Sequence, residues 1–179
     1  MQEENNKEPL EQTPEFEIDP ARYQQLIDQI ESNQNLQMAI IGGIIAAVIG
    51  ASLWAAITVI TDFQIGWMAV GVGFLVGYAV RIMGKGLTRI YGYIGGVLAL
   101  LGCLAGNLFS VCAIISKQEE IPFFDILMQL NPQIAFELMK ATFSPIDLLF
   151  YLIAIYEGYR FSFRTITEEE LAGVVKPIS

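Results

Sequence analysis

The chain has 179 residues, 54% of them hydrophobic and 16% charged, with a mean hydropathy of +0.49. A soluble domain carries about a quarter charged residues, so apolar residues gathered in long uncharged runs predict an all-α integral membrane protein. The formal charge of −9 argues against nucleic acid as a partner, and the absence of histidine removes the commonest general base and metal ligand.

The charge is concentrated at the start. Residues 1–35 hold nine acids against Lys7 and Arg22, a net of −7. No basic segment leads into an apolar run, so no cleavable signal is expected. Residues 1–18, with Pro9 and Pro14 and few apolar side chains, are expected to form a disordered acidic tail. Asp19-Pro20 then predicts a helix start. Tyr23, Leu26, Ile27 and Ile30 recur at i, i+3, i+4 and i+7, giving an amphipathic juxtamembrane helix over 19–35. Its apolar stripe suits either the headgroup layer or a docking surface for another subunit. With no proline or glycine in the Gln/Asn-rich stretch up to Gln37, this helix is expected to run on into the first span.

Residues 36–115 are predicted to hold three transmembrane helices. Leu36–Ile60 gives 25 uncharged residues, ~37 Å of helix. After a short turn the second span runs from Ile65 to Met83, with Arg81 in its last turn and Gly84-Lys85-Gly86 breaking it. The third runs from Ile90 to Ile115. Residues 116–144 form a connector in which Pro122 and Asn131-Pro132 each signal a helix start. Both pieces are apolar on one side and too short to cross a bilayer, which predicts an amphipathic helical hairpin. Ser144-Pro145-Ile146-Asp147 matches a capping pattern and opens a fourth span over 145–163, followed by a tail over 164–179. Placing both termini in the cytoplasm puts eight of the ten bases inside, with only Lys117 and Lys140 outside. The hairpin is then extracytoplasmic.

Small residues recur every fourth position. Ala39, Gly43, Ala47, Ala51 and Ala55 form one ladder in the first span, and Ala69, Gly73 and Gly77 another in the second. Gly92 and Gly96, and Gly102 and Gly106, continue the pattern in the third. Such ladders let backbones approach closely, either within one bundle or between subunits. Arg81 either snorkels to the headgroups or pairs with Glu157, which also has Arg160 three residues on. Asn107 is the strongly polar side chain deep in the third span, suited to an interhelical hydrogen bond or to a pore. Cys103 and Cys112, nine apart in one apolar run, read as small fillers rather than a disulfide or metal pair.

Motifs for catalysis are lacking. Gly84-Lys85-Gly86-Leu87-Thr88 has Gly86 where a phosphate loop needs Ser or Thr. Gly71-Val72-Gly73 lies mid-span rather than after a strand. Glu119-Glu120 and Glu168-Glu169-Glu170 read as solvated charge. No cofactor, metal site or enzymatic activity is expected.

The run from Ile65 through Gly73 and Gly77 to Arg81, with Gly84-Lys85-Gly86 after it, resembles a segment of small uncharacterised bacterial polytopic membrane proteins with about four spans. Pro145–Tyr159 resembles their final span. The resemblance implies a bacterial inner-membrane address and a multi-span unit, and no activity. The expected function is that of a structural or accessory subunit in a larger membrane assembly, with lipids and other membrane subunits as partners. A homo-oligomeric channel or transporter is the alternative, and a lipid-modifying enzyme a weaker one.

Overall fold

The computed structural model of the chain describes residues 16–177. It divides into two units: Ile30–Thr165, and the two terminal segments up to Gln29 and from Ile166. In chain order the elements are β1 (Phe16–Ile18), α1 (Pro20–Ser32), α2 (Leu36–Thr61), α3 (Met68–Gly84), α4 (Arg89–Glu119), α5 (Phe123–Gln129), α6 (Pro132–Thr142), α7 (Pro145–Phe161), α8 (Glu168–Ala172) and β2 (Val175–Pro177).

In the terminal unit, β1 pairs antiparallel with β2, with Glu17 opposite Lys176. The acidic tail expected over 1–18 lies outside the described residues up to Glu15, and its last three residues form β1 rather than coil. Likewise the expected tail over 164–179 contains α8 and β2. Three-residue strands are too short to leave a legible alternation in sequence. Asp19 accepts from the Ala21 N–H at 3.0 Å and starts α1. Thr167 and Glu170 form a capping box on α8, so one acid of the Glu168–Glu170 run has a structural role.

Helix α1 does not run on into α2. The Asn35 side chain accepts from the Met38 N–H at 3.0 Å, and the Asn35 N–H donates to the Gly84 carbonyl at 2.9 Å. An Asn cap competes with helix continuation, so residues 33–35 break the chain direction without proline or glycine. On α2 the two faces differ sharply. Ala39, Gly43, Ala47, Gly50, Ala51 and Trp54 are buried, whereas Ile41, Ile45, Val48, Ile49 and Leu53 are about half exposed.

Helices α2, α3, α4 and α7 pack into one bundle, with α3 and α4 between α2 and α7. Backbones approach closely between α3 and α7, where a Cβ on Gly73 would lie 2.5 Å from the Ala154 carbonyl oxygen. On the neighbouring side, a Cβ on Gly158 would lie 2.6 Å from the Gly95 carbonyl oxygen. Side chains of any size at these positions would push backbones apart.

Two helices, α2 and α4, are long and apolar enough to cross a membrane by length and composition, and the α6–α7 pair, bent by 109°, is the further candidate. The four spans expected are therefore two, or up to three, on that measure. Helix α3 has 17 residues because its expected first turn is not helical: Gly66 sits against the Phe150 ring, and α3 begins at Met68. Helix α4 runs past the expected Ile115 to Glu119. Its C-terminal end is tied to α2 by Lys117, whose ammonium lies 2.6 Å from the Asp62 carboxylate and 3.1 Å from the Val59 carbonyl oxygen.

Candidate functional site

A seam of polar side chains runs through one end of the bundle. Asn107 on α4 is 2% exposed. Its amide nitrogen donates to the Tyr151 hydroxyl on α7 at 3.0 Å, and its oxygen accepts from Gln64, in the turn before α3, at 2.6 Å. The Asn107 amide is therefore bonded on both sides. Nearby on α4, Ser110 accepts from Thr58 of α2 at 3.2 Å and donates to the Gly106 carbonyl at 2.7 Å. Trp54 stacks its ring edge over Gly106, with its indole N–H buried and without a hydrogen-bond partner. Of these groups, sequence reading picked out Asn107 alone. Gln64 lies in the turn before α3 and Tyr151 within an apolar run, and only the fold brings them to Asn107.

Two cavities flank this seam. One of about 380 Å³ lies between α6, α4 and α7, with Asn107 and Tyr151 on its floor and Phe136, Met139 and Phe143 on its outer wall. A wider groove of about 700 Å³ opens between α2, α4 and α5. Ser52, Ala56 and Ala113 form its base, and Phe109, Phe123 and Phe124 close one end. The ring of Phe123 meets Phe109 edge to face, 6.0 Å between centroids, which seats α5 against α4.

Arg81 does not pair with Glu157: its guanidinium donates to the Thr165 hydroxyl at 2.6 Å. Arg160, the other candidate partner of Glu157, lies over the Tyr156 ring at 5.9 Å. Ion pairs among the described residues join Lys117 to Asp62 and Arg22 to Asp19. Thr165, four residues past the end of α7, is the partner that the fold brings to Arg81. The ladder residues face helices of the same chain: Gly102 meets Ala47 and Val72, Gly106 meets Trp54, and Gly92 meets Tyr159 and Phe163. Gly96 faces Ile155, Gly77 faces Gly158, and Gly43 faces Leu98 and Val80. Ala51 and Ala69 are fully buried.

No family model, curated protein or solved structure matches the chain. Geometry alone must therefore carry the functional reading. The Cys103 thiol points at the Ala69 carbonyl 3.6 Å away, and both cysteines are buried and free. Among the described residues no three Cys, Asp or Glu side chains gather as a metal-ligand set. Along α1, Ile30 is buried, Leu26 and Ile27 are half-buried, and Tyr23 is exposed.

Proposed function

We propose that the chain is a structural or accessory subunit of a bacterial inner-membrane assembly, crossing the bilayer through α2, α3, α4 and α7. Both termini would lie in the cytoplasm and the α5–α6 hairpin on the opposite surface. Charge supports this orientation. Within Ile30–Thr165, the end where α3 finishes and α4 starts carries Arg81, Lys85, Arg89, Arg160 and Arg164 against Glu31 and Glu157. The other end carries Lys117 and Lys140 against Asp62, Glu119, Glu120, Asp125, Glu137 and Asp147. Such a bias toward bases marks the cytoplasmic side.

The groove between α2, α4 and α5 is the observation that carries the subunit reading. Most small residues of the bundle are spent on contacts inside the chain, whereas Ser52 and Ala56 stand exposed on the outer face of α2 beside Ala113 of α4. A helix from another chain approaching there would meet small side chains and a wall of phenyl rings, the surface on which membrane helices associate. The channel alternative finds less support, because Asn107 is bonded on both sides and Arg81 lies at the opposite end of the bundle.

Photo-reactive residues at Ala56 and Ala113, with Ile41 near the opposite end of α2 as control, test this. Cross-links to one distinct polypeptide from the groove positions, abolished by Ser52→Phe, are expected. Cross-links only between copies of the chain would favour the homo-oligomer. A monomer in mild detergent without groove cross-links would overturn both.

A further inference from the structure

The cavity of about 380 Å³ beside α6 has an apolar wall and a polar floor. Phe136 and Met139 of α6, with Phe143 just past its end, form the wall. Protein closes that wall loosely: no residue of α6 is buried, and Phe136 and Phe143 stay 68% and 49% exposed. On the floor Asn107 and Tyr151, both buried, meet where the amide nitrogen donates to the hydroxyl oxygen. An amide nitrogen carries two hydrogens and a phenol one. Asn107 gives one of its two to Tyr151, while its oxygen accepts from Gln64. Among the described residues, nothing accepts the second Asn107 hydrogen or the Tyr151 hydroxyl hydrogen.

The other polar residue lining the cavity is Lys140, whose ammonium is again only a donor. Among the described residues it joins no ion pair; those formed are Lys117–Asp62 and Arg22–Asp19. No carboxylate lines the cavity, and Asp147 in the first turn of α7 is engaged by the Ser144 N–H at 2.8 Å. A buried donor without an acceptor is costly, so an oxygen arriving at the floor gains from both hydrogens. Two buried donors, a cation within reach on a flexible stem and an aromatic wall select an acceptor-only, anionic head on an apolar body. We propose that this cavity binds the head of an anionic acyl-chain amphiphile. Tyr151, Asn107 and Lys140 donate to its oxygens, and Phe136, Met139 and Phe143 pack on the chain. The head is either the carboxylate of a fatty acid or the ester carbonyl and phosphate of an acidic phospholipid. The supply of such molecules rests on the membrane reading above, and the donor arrangement does not depend on the α2–α4–α5 groove or its partner.

The test uses the full chain in nanodiscs of phosphatidylcholine carrying either palmitate or phosphatidylglycerol. Native mass spectrometry counts the amphiphile retained on the protein over phosphatidylcholine. Retention of palmitate, at least about tenfold weaker in Tyr151→Phe and in Lys140→Gln and unchanged in Lys117→Gln, assigns the carboxylate. The same pattern with phosphatidylglycerol assigns the phospholipid head. Met139→Trp fills the space without touching a donor and should abolish retention of either. Should Tyr151→Phe fail to fold, Lys140→Gln and Met139→Trp still decide, because both change residues of α6, where nothing is buried. Retention of neither amphiphile by the wild-type chain, or equal retention in Lys140→Gln and Met139→Trp, overturns the site. Groove cross-linking is a separate readout, so failure there leaves this result interpretable.

Discussion

Gly71 and Gly73 are two residues apart on α3 and face opposite ways. A Cβ on Gly71 meets nothing within 4 Å, whereas one on Gly73 strikes the Ala154 backbone at 2.5 Å. Gly71→Ala should therefore raise thermal stability slightly, since alanine is favoured in a helix by roughly 1 kcal/mol. Gly73→Ala should lower stability by ~1–3 kcal/mol as α3 and α7 separate. Equal effects in detergent unfolding would refute the close approach. Asn107→Leu should cost ~1–2 kcal/mol because it leaves Gln64 and Tyr151 unpaired. A Gln64→Ala/Asn107→Ala cycle should be non-additive, and additive losses would dissolve the network. The spacing of small residues was legible because a period of four is a property of one helix. Neither the Gln64–Asn107–Tyr151 chain nor the Arg81–Thr165 bond was, because their partners are 43, 44 and 84 residues apart and meet only through packing.

Helix α7 begins where Ser144 and Asp147 cap one another, the Ser144 N–H donating to the Asp147 carboxylate at 2.8 Å. This cap also fixes the 109° bend between α6 and α7, since it ends the α6 direction at Phe143 and starts a new one. Asp147→Ala should cost ~1 kcal/mol. It should also raise amide hydrogen exchange across α6 more than across α4, and uniform exchange would show that the cap does not govern the bend. A proline–cap pattern of this kind is local and could be read from sequence. The break at Asn35 is equally local, yet a Gln/Asn-rich stretch offers several candidate caps. What selects Asn35 is the distant Gly84 carbonyl that takes its N–H. The start of α3 moved for the same sort of reason, because Gly66 and Trp67 are claimed by Phe150 of α7 before they can join a helix.

At the scale of the Ile30–Thr165 bundle, the separation of charge between its two ends makes a direct labelling prediction. Cysteine introduced at Asp62 or Glu119 should react with an impermeant thiol reagent in intact cells or spheroplasts, and cysteine at Lys85 only after permeabilisation. The opposite pattern would invert the proposed topology. Helix lengths carry a further consequence. Helices α3 and α7 have 17 residues each, and α2 and α4 have 26 and 31. At 1.5 Å per residue the first pair reach only ~25 Å, against a hydrocarbon layer of ~30 Å. In the proposed four-span arrangement, the packing of α3 on α7 would gather the shortfall on one flank, and the bilayer there would thin to meet it. The surrounding lipid would then be deformed unevenly, stretched thin on one side and relaxed on the other. The protein should then melt higher in short-acyl than in long-acyl phosphatidylcholine. In a mosaic membrane it would drift toward the thinner regions, carried by bilayer elasticity with no specific lipid contact required.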